Sequence, residues 1–458
     1  MTKIEKARAA AGEHHSGGAP TYKLVRTTDL KPAHRNARTH DKTQIGALVE
    51  SIRTFGAINP IVVDKDGRIV AGHARWEAAK ILQLENVPVL TVDHLPQDEL
   101  RLYAIADNRI AERAGWDEAI LAIEFAELEI ACPEISLSVS GFELPKIELM
   151  CSKASQETWT DLDKPVERPT TRAVSQRGDV WLFDDRHRLL CGDSTDPSVV
   201  AQLLAGETVT LMESDAPYNL PAKAYSGKGR NQHPDFVMAA GEMSREVFTT
   251  FLAKSIGAAV PHLAQGALVY MFMDSKHVRE IIGAGDANDL ELLNILVWDK
   301  GKGGMGSFYR SGHELVFLFK HGSAPHKNRV QLGRNGRDRT TLWRYAGMNS
   351  FARGRDRALA MHATVKPVQM ICDLLLDASD RNDIVFDGFG GSGTTLIAAQ
   401  KTGRRSRIIE LDGGYCDTII QRYRDAFGGE VRHAELQLSF ADVAALRNST
   451  PGETSDVK

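Results

Sequence analysis

Ile45, Leu48, Val49 and Ile52 follow the i, i+3, i+4, i+7 spacing of an amphipathic helix and predict one over Asp41–Arg53, with Gly56 just past its end. Ile58–Asp64 then reads as a strand, Asp66-Gly67 as a turn, Arg68–Ala71 as a short second strand and Ala74–Leu84 as a helix. Further helical patterns cover Arg101–Ile110 and Glu118–Leu128. From Cys151 to Ser175 the periodicity gives way to Ser, Thr, Asp, Glu, Lys and Pro, as in a linker. Beyond Arg177, apolar runs at Thr208–Met212, Ala267–Met273, Leu293–Trp298, Leu315–Phe319, Ile384–Phe386 and Arg407–Ile409 are interspersed with helical stretches. That alternation predicts an α/β sheet, largely parallel. The expected layout is a disordered lead-in over 1–20, a folded unit over 21–150, a linker over 151–176, a larger unit over 177–446 and a tail over 447–458.

Composition narrows the setting. The 458 residues carry 56 Lys and Arg against 60 Asp and Glu, a net charge of −4, and 42% are hydrophobic. This is a soluble globular profile with length for two to four domains. Five Cys, odd in number and without a C-x-x-C pair, point to a reducing compartment and to no metal. The longest apolar run, Ala267–Met273, falls far short of the roughly 18 residues of a membrane span, so the expectation is a cytoplasmic protein without membrane contact. The overall acidity also argues against a nucleic-acid partner, an objection that local charge reverses below.

The strongest local signal runs from Asp383 to Glu410. The strand Ile384-Val385-Phe386 ends in Asp387, passes through a glycine-rich turn and opens a helix at Thr394, and a second strand ends in Glu410. Glycines here let a ligand approach the backbone at a helix N-terminus, while the acid about 20 residues on suits ribose hydroxyls. Gly388-x-Gly390-x-x-Gly393 satisfies a dinucleotide fingerprint, and Asp387-x-Phe389-x-Gly391-Ser392-Gly393-Thr394-Thr395 resembles the S-adenosylmethionine loop of amino-methyltransferases. A P-loop is disfavoured, because no Gly-Lys-Ser/Thr follows.

A second motif separates the two cofactor readings. The run Thr208–Met212 leads into Asp215-Ala216-Pro217-Tyr218, which resembles the Asp/Asn/Ser-Pro-Pro-Tyr/Phe/Trp motif of DNA amino-methyltransferases, with Ala216 in place of the first proline. An exocyclic amine is a poor nucleophile because its lone pair is delocalised into the ring. Hydrogen bonds accepted by the Asp215 carboxylate and the Ala216 carbonyl favour its tetrahedral form, Pro217 stiffens the turn, and Tyr218 offers a face for a flipped base. Arg188–Ser194 resembles the family segment whose acid, here Asp193, contacts the cofactor adenine. Met361–Val368 resembles the family's His-Pro-Thr-x-Lys-Pro segment, with Ala363 replacing a proline, and places Thr364 and Lys366 beside a helix N-terminus suited to the methionine carboxylate. The order of the segments is that of β-type amino-methyltransferases, and the resemblance covers about Arg177–Gly428. It implies a Rossmann-like sheet with an inserted target-recognition region over about 220–360, and Asp387, Phe389, Gly391, Gly393, Thr394 and Glu410 as cofactor residues.

Lys300–Arg357 holds thirteen Lys and Arg against three acids, a local balance of +10, with Trp343, Tyr345 and Phe351 interleaved. That is the footprint of a DNA-binding surface, with Arg334, Arg337, Arg339, Arg353, Arg355 and Arg357 as phosphate or base contacts. The bland alternative is a solvated loop paired with acids elsewhere. Near the N-terminus, Ile58–Asp93 resembles the ParB-like, or ParB/sulfiredoxin-type, domain, a small α+β unit; Gly72-His73-Ala74-Arg75 stands where partition proteins hold nucleotide phosphates. The combination resembles phage and prophage modification methylases. It implies transfer from S-adenosylmethionine to the N6 amine of adenine in double-stranded DNA, without metal, and leaves a homodimer open. Cytosine N4 is the alternative target, and a DNA-binding regulator that retains the fold is the rival class.

Overall fold

The computed structural model describes residues 20–132, 134–154, 173–220, 241–301, 308–330, 339–345 and 366–449. The chain divides into two compact units between Ala154 and Ser155.

The first unit holds a four-stranded sheet of β1 (Thr21–Arg26), β2 (Ile61–Val63), β3 (Ile69–Ala71) and β4 (Asn86–Thr91), in the order β1-β4-β2-β3. β4 runs antiparallel to β1 and parallel to β2. Its core is Leu30, Ile61, Val63, Ile69, Ala79, Val87 and Val89. Helix α1 (Lys42–Phe55) is capped by Asp41, whose carboxylate accepts from the Gln44 amide at 2.7 Å. Helix α2 (His73–Ile81) follows β3, and α3 (Gln97–Ala111) starts four residues before the predicted Arg101, because Pro96 leads into it and Asp98 and Glu99 favour a first turn. Two further helices, α4 (Glu118–Ala131) and α5 (Leu144–Ala154), close on Ala122, Phe125, Ile147 and Met150. α5 was not legible as a helix and carries Cys151, so the expected linker cannot begin there.

The second unit is a Rossmann-like α/β sheet of ten strands. Five are parallel, in the order β8 (Leu263–Met273), β7 (Val209–Ser214), β12 (Ile384–Asp387), β13 (Arg405–Glu410) and β6 (His187–Cys191). Beyond β8 come antiparallel β10 (His313–His321), β9 (Leu290–Asp299) and the short β11 (Leu342–Arg344); beyond β6 come β5 (Val180–Phe183) and β14 (Val431–His433). Helices α6 (Pro197–Leu204), α7 (Arg245–Ala259) and α8 (Val278–Asp286) pack in series, as do α9 (Val368–Ala378), α10 (Thr394–Lys401) and α11 (Gly413–Phe427). A parallel sheet covered on both faces needs apolar residues at successive positions, which is why Ala267–Met273 of β8 and Ile384–Phe386 of β12 are continuous hydrophobic runs.

β7 leads through α7 to β8 on one side, whereas β12 leads through α10 to β13 on the other. β7 and β12 are neighbours, with Val385 opposite Leu211 and Phe386 opposite Met212. Their carboxyl ends therefore flank a topological switch point, where open α/β sheets bind ligands.

Three boundary expectations are corrected. Val174 and Ser175 donate their amides to Asp417 of α11 at 2.7 and 2.9 Å, so residues from 173 onward belong to the second unit rather than to a linker ending at 176. Arg447 lies within α12 (Phe440–Ser449) and grips Asp179 through two N–H groups, so a tail does not begin at 447. The recognition region expected over about 220–360 is not one inserted block, because β8, β9 and β10 are strands of the ten-stranded sheet and α7 and α8 pack on one another between them. No helix among the described residues is long and apolar enough to cross a membrane.

Leu211 is fully buried in β7 at the centre of this sheet. Leu211→Ala should destabilise the protein by about 2 to 5 kcal/mol, read as a lower thermal midpoint. A midpoint within a degree of the parent would contradict the central placement of β7.

Candidate active site

The carboxyl end of β7 is built for precision. Ser214 Oγ accepts the Gly388 amide at 3.0 Å and locks the end of β7 to the end of β12. After Asp215-Ala216-Pro217-Tyr218, Asn219 adopts a left-handed backbone with φ of 51°. Its amide side chain binds the Met243 carbonyl at 2.9 Å and accepts the Gly241 and Met243 amides at 3.1 and 3.2 Å, which pins the turn. Ala216 is buried.

Around that turn sits a buried charge network. The Lys366 ammonium, 4% exposed, donates to Asp215 at 2.5 Å and contacts Glu314 at 3.2 Å and the Tyr218 hydroxyl at 3.3 Å. The single Tyr218 proton is shared between Asp215 at 2.9 Å and Glu314 at 3.1 Å. Lys300, from the turn after β9, closes on the other Glu314 oxygen. The rings of Tyr218, Phe272 and Trp298 surround the Lys366 ammonium at 5.5, 5.0 and 5.7 Å. Burial pushes the Glu314 carboxyl up, but Lys366 and Lys300 outweigh it and hold it at about 2. Burial and the Glu314 charge leave Asp215 above the ordinary carboxylate range despite Lys366. Lys366 stays protonated, because its two carboxylates overcome the burial that opposes its charge.

Directly beneath, the Thr395 hydroxyl lies 2.7 Å from both Glu213 and Asp387. One hydroxyl proton cannot serve two carboxylates, so one acid must supply a proton of its own. Burial and the nearby Asp387 charge raise Glu213 well above its ordinary range, while burial raises Asp387 only to about 6. Glu213 is therefore the more readily protonated of the two acids that share the Thr395 hydroxyl. Asp387 also accepts the Phe389 amide at 2.9 Å.

The glycine turn meets this cluster from β12. A Cβ on Gly390 would lie 2.5 Å from Ile408 Cγ2, so only glycine lets the turn pack on β13. Gly393, with φ of 81°, opens α10, and Thr394 follows as its first residue. Glu410 accepts the Gly391 amide at 2.7 Å and the Asp412 amide at 2.9 Å, holding the turn against the end of β13. Burial raises Glu410 to about 7. Phe389 is half-buried, 6.0 Å from the Phe251 ring. Asp193 follows β6, next to Glu410 through the hydrogen bond from the Gly192 amide to the Glu410 carbonyl at 2.9 Å. Its carboxylate accepts from the Thr195 amide and hydroxyl at 2.9 and 2.8 Å.

Thus Asp193, Asp387, Phe389, Gly391, Gly393, Thr394 and Glu410 gather at the glycine-turn edge, and Asp215, Ala216, Pro217 and Tyr218 at the adjoining strand end. Two roles change. Lys366, expected beside a cofactor carboxylate, spends its three N–H groups on Asp215, Glu314 and Tyr218. Tyr218, expected as an open stacking face, is 5% exposed and bound through its hydroxyl. Glu314, Glu213 and Thr395 were missed, although an acid at the edge of an apolar strand run, as in His313–His321 or Val209–Ser214, is the signal that marks such positions.

The basic stretch is also revised. Arg339 is not free for DNA: its guanidinium binds Asp377 at 3.0 Å and the Tyr345 hydroxyl at 2.7 Å. Lys320 pairs with Glu291 at 2.6 Å, Lys327 with Asp380 and Asp383 at 2.9 and 2.5 Å, and Arg329 with Asp380. Trp343 is buried rather than open for stacking. Arg310 and Arg344 are exposed, as are Phe308 and Tyr309 at 87% and 82%. Arg334, Arg337, Arg353, Arg355, Arg357, Phe351 and Thr364 lie outside the described residues. In the first unit, His73 Nε2 accepts the Ala33 amide at 3.1 Å, and burial lowers its pKa. Its Nε2 thus serves as a structural acceptor within the first unit. No group of three or more His, Cys, Asp or Glu among the described residues is placed to hold a metal ion.

Because Glu410 holds protons better folded than unfolded, its contribution to stability is fully present below its ordinary 4.5 and is lost as pH rises through about 7. Glu410→Gln should flatten the fall of the thermal midpoint across that window. An unchanged slope would show that Glu410 titrates elsewhere.

The model of the DNA methylase family matches residues 209–422, and that of the ParB N-terminal domain matches residues 12–109. The ParB-like nuclease domain-containing protein YnaK of Escherichia coli (strain K12) is 44% identical over 71 residues, 16% of this chain and 82% of that protein. The type II methyltransferase M2.MboI of Moraxella bovis is 26% identical over 145 residues, 30% of this chain and 52% of that protein, so the chain spans about half of its length. Among solved structures, the M1.HpyAVI–SAM complex aligns with a TM-score of 0.36 and 16% identity, covering 51% of this chain and 97% of that one. The PvuII DNA methyltransferase (cytosine-N4-specific) aligns with a TM-score of 0.42 and 13% identity, covering 61% and 95%.

Proposed function

The chain belongs to the ParB-like family through its N-terminal unit and carries an N6/N4-type DNA methylase domain, and from that premise we propose that it transfers a methyl group from S-adenosylmethionine to the N6 amine of adenine in DNA. The observation that carries this reading is the adjacency of the Asp215–Tyr218 turn and the Gly390–Gly393 turn at one switch point, locked by the Ser214–Gly388 hydrogen bond.

The residues fit the cofactor. A turn that a single Cβ at Gly390 would disrupt, the N-terminus of α10 and the acids Asp193, Asp387 and Glu410 form a cradle for an adenosine with a charged tail. Bound there, S-adenosylmethionine supplies an electrophilic methyl group on a sulfonium. Asp215 and the Ala216 carbonyl accept the two N–H bonds of the target amine and turn its lone pair toward that methyl. Asp215, or water beside it, would take the proton that the amine gives up on methylation. Adenine is favoured because the turn opens with Asp; cytosine N4 presents the same kind of amine. With Tyr218 buried, the exposed Phe308 and Tyr309, beside Arg310, are better placed to stack on unpaired bases. The ParB-like unit adds a second element for DNA or nucleotide phosphate through Arg75.

Labelled S-adenosylmethionine with mixed-sequence DNA should give labelled DNA, and direct sequencing should read N6-methyladenine. Asp215→Ala should lower transfer by about a hundredfold or more while leaving cofactor binding nearly unchanged. Reading N4-methylcytosine would overturn the adenine assignment; DNA binding with no transfer would favour the regulator. Since Lys320, Lys327, Arg329 and Arg339 are already neutralised by acids, the salt dependence of DNA binding should be shallower than thirteen free cations would give. A slope matching all thirteen would contradict these pairings.

A further inference from the structure

Asp215 is fully engaged in this structure: Tyr218 occupies one carboxylate oxygen and Lys366 the other. The same oxygens must be free to accept the amine of a target base. The Lys366 ammonium is too deeply buried to leave for solvent, and a buried charge without a partner is costly. When the amine arrives, the ammonium needs a second anion within reach.

We infer that Glu314 is that anion, a positioning residue for methyl transfer that retains Lys366 and the Tyr218 hydroxyl when the target amine displaces them from Asp215. Its oxygen lies 3.2 Å from the ammonium and 3.1 Å from the hydroxyl, so the shift from Asp215 to Glu314 needs no rearrangement of the backbone. Lys300 on the opposite oxygen keeps Glu314 ionised. The four charges, Lys300, Lys366, Glu314 and Asp215, sum to zero, and removing Glu314 leaves one net positive charge beside Asp215. Lys366 would then have Asp215 alone and would compete with the amine for it.

The groups facing Asp215 are Lys366 from the segment before α9, Glu314 from β10, Tyr218 and Glu213 from β7 and its turn, and Asp387 from β12. Loss of the Glu314 charge removes a like neighbour and tightens the Lys366 pair. Both changes lower the pH at which Asp215 ionises.

The inference rests on the methyltransfer reading, and the test separates the two. Single-turnover transfer to DNA by the parent protein is measured first; absence of transfer there sinks the functional reading. Given transfer, Glu314→Gln should slow it by about tenfold or more, shift the acid limb of its pH profile to lower pH and leave cofactor affinity within about twofold. A carbon-13 NMR titration of the cofactor-free protein should show Asp215 ionising at lower pH in the same variant. Glu314→Asp keeps the charge but shortens its reach, and should show the same shifts in smaller measure; it carries the test if the glutamine variant fails to fold. A folded variant with the parent rate and an unmoved acid limb would overturn the role of Glu314.

Discussion

One buried ammonium organises the catalytic end of the protein. Lys366 is nearly inaccessible, and a lone charge in that position would cost several kcal/mol. Its burial is tolerated because Asp215 and Glu314 converge on it from different elements, and because the faces of Tyr218, Phe272 and Trp298 complete its shell. The segment before α9, the turn after β7 and the start of β10 therefore have to meet at one point. The sheet order that puts β8 between β7 and β10 is what brings them within reach.

A second constraint lies one layer deeper. Glu213 and Asp387 end neighbouring parallel strands, and parallel pairing brings their carboxyls close enough to repel. Thr395, one residue into α10, resolves the conflict with a proton-sharing bridge. The bridge links β7 and β12 to α10, the helix that follows the glycine turn, and the Ser214–Gly388 hydrogen bond ties the end of β7 to the start of that turn. The two halves of the site are thus held in register by contacts that neither half supplies alone.

Much of this was legible in the chain. The glycine turn, its flanking strands and Glu410 could be read because strand, turn and helix each impose a local residue pattern. Asp215–Tyr218 could be read because an apolar run ending in Asp, Pro and Tyr is compact in sequence. Glu314 could not, because its meaning arises only when antiparallel pairing of β10 with β8 carries it to Lys366, 52 positions on in the chain. Tyr218 and Lys366 were legible as members of the site but not in their roles, since which partner a hydroxyl or ammonium meets depends on tertiary packing. Helix α5 was missed although Ile147, Met150, Cys151 and Ala154 keep helical spacing, because the polar stretch that follows was read as a linker starting at Cys151.

The charge pattern was legible only in part for a similar reason: of the six arginines read as DNA contacts, Arg339 is engaged within the fold and the other five lie outside the described residues. Counting residues 300–357 alone gives +10, but Glu291, Asp373, Asp377, Asp380 and Asp383, which neutralise its lysines and arginines, lie outside that window. Arg339 lies over the rings of Trp343 and Tyr345 while Asp377 and Asp373 hold its guanidinium, so a sequence that looks like a nucleic-acid footprint is in part the mortar between β11 and α9. Cations that hold a domain together cannot also release counterions from DNA. Among the described residues of this stretch, Phe308, Tyr309, Arg310 and Arg344 are exposed and so open to a phosphate backbone or an unpaired base. Lys300 follows β9 and Glu314 lies in β10, so one ion pair joins these two strands beside Lys366, whatever the neighbouring cations do.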